Sequence, residues 1–147
     1  MAHEQLEAGL IPLSRGTTWS EVRREWDIQD VYRQEQPQRC LCGHYPILEI
    51  CVIRNRFTGH QAEVGNMCVK KFLGLPSDRI FSSLRRVLLR IERALGPETI
   101  EYAYKRHWIN NWEKDFYNDT WRKRLLSEKQ IATRLQINRR ILQGTSR

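Results

Sequence analysis

Four cysteines stand at positions 40, 42, 51 and 68, and three of them lie in two short glycine-bearing phrases. These are Cys40-Leu41-Cys42-Gly43-His44 and Gly65-Asn66-Met67-Cys68. No other feature constrains the chain as strongly. Alternate residues of an extended segment project to one side, so Cys40 and Cys42 present two thiols together, and Gly43 lets the backbone fold tightly after them. Asn66 reads as the N-cap of a helix from Met67 to Leu73, which puts Cys68 in a first turn whose amides and dipole favour a thiolate. Gly74 fits the left-handed stop at its end. Thiolates and neutral imidazoles converging on one point, usually four of them, are what a structural zinc requires.

Between the two phrases the sequence reads as a β-hairpin. Ile47 to Ile53 is rich in β-branched residues. Its even positions, Leu48, Ile50 and Val52, are all apolar and are expected to face the core. Asn55 to Gly59 supplies turn chemistry, and Gln61 to Val64 returns as a second strand. Knuckle, hairpin and helix-borne cysteine together resemble a treble-clef zinc finger, over about residues 38–74. The wording C-x-C-G-H and G-N-x-C is also similar to small fingers carried by bacterial and phage proteins. The resemblance implies a structural Zn2+ held by Cys40, Cys42 and Cys68. It departs from the pattern at Lys71, where the helix of a treble clef usually gives a second cysteine. The fourth ligand expected is His44, which continues the alternation, with Cys51 on the strand as the alternative and His60 or water the remaining options. Packed thiols with no metal are the alternative for the whole cluster, because free cysteine is among the most buried residue types.

The fold class expected is α+β, a small zinc-bound hairpin and helix followed by an all-helical region. Residues 1–17 show no period and read as a mobile arm. Residues 18–76 hold a short helix begun by the capping box Thr18-Trp19-Ser20-Glu21, an apolar stripe through Ile28, Val31 and Tyr32, a polar linker over Gln34–Gln38, and the finger. Residues 77–147 read as helices. One starts at Ser77 and carries Ile80, Phe81, Leu84, Val87, Leu88, Ile91 and Leu95. Gly96-Pro97 stops it and opens the next. That helix carries Ile100, Tyr104, Trp108, Trp112 and Phe116, a spacing expected to be core. Ser127 and Gln130 form a second capping box, opening a helix through Ile131, Leu135, Asn138 and Leu142 to about Gly144. The long stripes are expected to pack against the finger.

Charge is what composition adds. Residues 1–76 hold 9 basic and 9 acidic side chains, whereas residues 77–147 hold 16 and 8. Residues 120–147 alone hold 8 basic side chains and one acid. A neutral front and a basic tail point to an anionic partner. The expected function is a zinc-stabilised, non-catalytic protein that binds DNA or RNA. The contacts assigned are Arg54 and Arg56 by the hairpin turn, Lys70 and Lys71 on the finger helix, and Arg122, Lys123, Arg124, Arg134, Arg139 and Arg140 in the tail. A protein-binding adaptor or inhibitor, docking on an acidic or nucleic-acid-handling complex, is the competing reading. No phosphate loop, nucleophile elbow, H-E-x-x-H or deaminase motif appears, so neither an enzyme nor a small-molecule substrate is expected. His60 and Asn66 would have to serve a metal-dependent nuclease, and Cys68 argues for a structural metal instead. No secretory signal or apolar run of membrane-spanning length is present, which gives the expectation of a cytoplasmic protein with no membrane contact.

Overall fold

The computed structural model describes residues 2–147. The chain divides into two compact units, one reaching to Asp78 and including Arg147, the other Arg79–Ser146. No helix among the described residues is long and apolar enough to cross a membrane.

The first unit is a mixed α and β structure. It begins with α1, Ala2–Leu10, and a 3-10 turn, Ile11–Leu13. A mobile arm was the sequence expectation here. A helix forms instead because Leu6 and Leu10, one turn apart, are both fully buried. Helix α2, Trp19–Val22, is capped as expected, with the Thr18 hydroxyl accepting from Glu21 N–H.

Strand β1, Trp26–Gln38, occupies the segment expected to be an indefinite stripe and a linker. Its polar sequence and Pro37 are compatible with a strand because β1 is an edge of the three-stranded antiparallel sheet, ordered β1-β2-β3. Strands β2, Ile47–Asn55, and β3, Gln61–Gly65, form the expected hairpin.

The expected phase of β2 is corrected. Leu48 is 44% exposed, whereas Cys51 and Ile53 are fully buried together with Ile50. The reason lies across the sheet. Cys51 pairs with Val31 on β1 and Val64 on β3, and both partners are buried. Directly opposed residues share a face, so the odd positions of β2 form the inner surface.

Glu25 anchors the end of this sheet. Its carboxylate accepts from the backbone N–H groups of Arg15 at 2.8 Å and Gly16 at 2.7 Å, and from Asn55 Nδ2 at 3.0 Å. Burial alone would raise its pKa, but these donors prevail and hold the carboxyl below its ordinary value. Helix α3, Asn66–Cys68, runs into a wider turn over Val69–Leu73, and Gly74 at φ 66° ends it as expected.

The second unit is helical. Helix α4, Ser77–Leu89, buries Ile80, Phe81, Leu84 and Val87. It ends before Ile91 and Leu95, which lie in a loop. Helix α5, Pro97–Lys105, has Pro97 at its first position, as expected. It does not continue to Phe116. The chain turns at His107, φ 61°, and α6, Asn111–Thr120, starts anew under a capping box of Asn110 and Glu113.

This break also corrects the expected core. Trp112 is 64% exposed and stacks on Phe116 with ring centroids 5.5 Å apart. Helix α7, Glu128–Gly144, has the predicted Ser127–Gln130 box, but its buried residues are Arg134, Ile137, Asn138 and Ile141, while Ile131 is exposed.

A polar network is set into the largely apolar core of this unit. Tyr117 Oη donates to Asn138 Oδ1 at 2.6 Å and accepts from Leu95 N–H at 2.8 Å. Asn138 Nδ2 donates to the carbonyls of Ile91 and Arg93 at 2.7 and 2.8 Å. Burial pushes the Tyr117 phenol above its ordinary pKa.

Candidate metal centre

The knuckle lies between β1 and β2. Gly43 N–H donates to Cys40 O, and Cys40 N–H donates to His44 O, both at 2.8 Å. Gly43 adopts φ 93°, a conformation other residues reach only with strain, and a Cβ there would collide with the Gln5 amide. The tight turn leaves Cys40 and Cys42 buried on one side. Cys68 arrives on α3, whose first residue, Asn66, is fixed by three polar contacts from β2 and α4. Its Oδ1 accepts from Ser77 Oγ at 2.7 Å, and its Nδ2 donates to Glu49 at 3.2 Å and Asp78 at 3.0 Å. The helix N-cap is Gly65, so Asn66 is a positioning residue inside the first turn rather than the expected cap.

The sulfurs of Cys40, Cys42 and Cys68 lie within 4.8 Å of one another. Thiolates around one tetrahedral zinc sit about 3.8 Å apart, given Zn–S bonds near 2.3 Å. The observed set is thus close to a coordinating arrangement, and a metal ion can be held there. Two backbone donors aim at Cys40 Sγ: Gly65 N–H at 3.2 Å and Cys42 N–H at 3.5 Å. The Cys68 thiol and these amides hold the Cys40 thiol well below its usual pKa. Hydrogen bonding to Cys40, together with burial, raises Cys68.

The other proposed ligands fall outside this set. His44 is exposed, and its carbonyl, not its ring, closes the knuckle. The positive φ of Gly43 breaks the alternation on which its assignment rested. His44 does line the same cleft as the three cysteines, a space of about 530 Å3 that also includes Gly65, Met67 and Phe72. Cys51 is sealed in the sheet, and burial pushes its thiol up to about 12, which makes it a packed thiol. His60 is exposed beyond the hairpin turn.

The basic residues divide into engaged and available groups. Arg56 donates to the Arg24 carbonyl and lies 3.6 Å from Asp27. Lys70 pairs with Asp78 at 3.1 Å, and Lys71 lies 5.4 Å from the Phe72 ring. Arg140 is bound to both Glu113 oxygens and to the Trp108 carbonyl.

Arg134 is corrected outright as a surface contact. It is 7% exposed, and its guanidinium donates to the carbonyls of Thr120 at 2.9 Å and Glu92 at 3.4 Å. Arg54, Arg122, Lys123, Arg124 and Arg139 are exposed, with Arg122 lying 4.8 Å over Trp121. Residues 79–146 carry 15 basic and 7 acidic side chains, so the whole net charge of +8 belongs to the second unit.

The chain matches no family model, and comparisons with curated proteins and with solved structures also return no match.

Proposed function

We propose that the protein is a non-catalytic nucleic-acid-binding protein whose first unit is braced by Zn2+ in a treble-clef-like site. The observation that carries this reading is the separation of two chemistries along the chain. Three buried cysteines converge within 4.8 Å in a unit of zero net charge, while the other unit holds a net +8. Cys40 and Cys42 on the knuckle and Cys68 on α3 supply three thiolates, in the order knuckle, hairpin, helix. The ion would cross-link segments too small to bury a large core, so its binding energy becomes folding energy. His44, lining the cleft, or a water completes the fourth position. The cationic second unit then serves phosphate binding, whose affinity is dominated by counterion release.

The test has two arms on one preparation. Elemental analysis of protein purified without added metal should give one zinc per chain, lost in Cys40→Ser and Cys68→Ser. Mobility shifts with DNA and RNA probes over a salt series should show binding that weakens steeply with salt. Full folding with no metal refutes the first half of the reading, and no binding to any probe at low salt refutes the second.

A protein adaptor is the second reading, favoured by the exposed Trp112 stacked on Phe116. Such aromatic pairs are common at protein interfaces. It predicts negligible nucleic-acid binding and loss of a protein partner in Trp112→Ala.

A further inference from the structure

Among the cations of the second unit, three are engaged with acids: Arg79 with Glu98, Lys114 with Glu101, and Arg140 with Glu113. Among those with no such partner in the described residues are five that lie in two loops. Arg90 and Arg93 lie in the loop between α4 and α5, and Arg122, Lys123 and Arg124 in the loop between α6 and α7. All five are exposed. The two loops are separated by almost thirty residues of sequence, yet α7 ties them together from beneath. One Arg134 guanidinium donates to Glu92 O in the first loop and to Thr120 O at the start of the second. One turn further on, Asn138 donates to the carbonyls of Ile91 and Arg93 while accepting from Tyr117 of α6. Arg134 and Asn138 Nδ2 reach the loops only through backbone carbonyls, so the five cationic side chains are left to solvent.

This arrangement concentrates positive charge. Arg90 and Arg93 share the first loop with the exposed Glu92, and Arg122, Lys123 and Arg124 are consecutive in the second, so the two loops hold five cations and one acid. A buried arginine, costly to desolvate, ties their backbones together. Like charges so close in sequence repel unless an anion lies between them. Four of the five are arginines, whose planar fork pairs with phosphate oxygens through two hydrogen bonds. The second loop carries non-ionic contacts as well. Arg122 lies over the half-buried Trp121 ring, and Leu125 is 90% exposed beside the cations. On an acidic protein surface the anions are carboxylates, spaced irregularly and each singly charged. A nucleic-acid strand offers phosphates alternating with sugars and bases, which such planar and apolar groups can cover.

We propose that loops 90–93 and 121–125 form one phosphate-binding surface for nucleic acid, assembled by Arg134 and Asn138. This rests on the nucleic-acid reading above and assigns its location.

The test uses the full-length chain, fluorescent 20-nucleotide single strands and duplexes, and anisotropy from low to moderate salt. Three variants are compared: Arg90→Ala with Arg93→Ala; Arg122→Ala with Lys123→Ala and Arg124→Ala; and a control, Arg23→Ala with Arg24→Ala and Lys105→Ala, which removes as much charge elsewhere. Each loop variant should lose roughly tenfold or more in affinity at about 100 mM salt, and the triple loop variant should flatten the log–log salt slope by about 2. The control should change affinity by less than about threefold. Arg134→Met, which keeps all five cations, should also weaken binding. If it fails to fold, the surface variants still decide.

If the wild type binds no probe at low salt, the nucleic-acid reading itself has failed. If it binds, but loop and control variants weaken alike, that reading stands and this surface is refuted. Displacement of the probe by polyglutamate as readily as by unlabelled oligonucleotide would also overturn the proposal, because it marks a site for carboxylates on an acidic protein.

Discussion

The backbone N–H of Gly65, the last residue of β3, points at the sulfur of Cys40 on the knuckle at 3.2 Å. The hairpin and the knuckle thus meet at a sulfur, an atom that would bind the metal. An N–H donor stabilises a thiolate and not a thiol, so the bond favours the form that binds metal. Changing Cys40 or Cys68 to Ser should abolish tight zinc binding in elemental analysis and remove the cooperative thermal transition of the first unit. Cys51→Ala should keep its zinc and lose only about 1 kcal/mol from a small buried void. Zinc loss in the Cys51 variant would shift the site onto the strand.

Glu25 should set part of the acid limit of stability. Its folded pKa is lowered below the ordinary carboxylate value by the Arg15, Gly16 and Asn55 donors acting against burial. Its contribution is therefore fully present above the unfolded pKa and disappears as pH falls through the folded one. Glu25→Gln should lower the melting temperature at neutral pH, and the gap between wild type and variant should narrow as the solution is acidified below pH ~4. Melting curves across that range check both the sign and the window, and a gap that widens in acid would contradict it.

Tyr117→Phe should destabilise the second unit by about 1–3 kcal/mol, because it strands two buried partners. Leu95 N–H and Asn138 Oδ1 both lose the phenolic oxygen that now satisfies them. Urea unfolding with an unchanged m-value would give the difference. An effect below about 0.5 kcal/mol would mean that water replaces the phenol readily.

Trp112→Ala should be close to neutral for stability, within about 0.5 kcal/mol, because the ring is mostly exposed. A core tryptophan would cost about 3–5 kcal/mol on the same substitution. Thermal denaturation separates the two by a wide margin.

Much of this organisation was legible in the sequence where local chemistry decides it. The Cys40–Cys42 knuckle, the hairpin, the Gly74 stop and the Ser127–Gln130 box are each set by a few adjacent residues. The errors arose where distant partners decide. The inward face of β2 depends on Val31 and Val64, which no reading of β2 alone reveals. Strand β1 hides its nature because an edge tolerates polar residues and a proline. The helix break before α6 could have been found, since Asn110 and Glu113 have capping-box spacing. A run of aromatic residues at helical period overrode that signal. Arg134 looked like any other tail cation, and its burial is set by carbonyls 42 and 14 residues away.

That distance has a consequence for a chain made in one direction. The carbonyls of Ile91, Glu92 and Arg93 have no helix to accept them and wait for Asn138 and Arg134, more than forty residues later. Until α7 arrives these carbonyls are left to water, so the loop between α4 and α5 has nothing to fix it against the rest of the unit while α7 is still inside the ribosome. Completion of the second unit therefore waits for α7, and a nascent chain stalled before Arg134 should stay open to protease throughout residues 90–124.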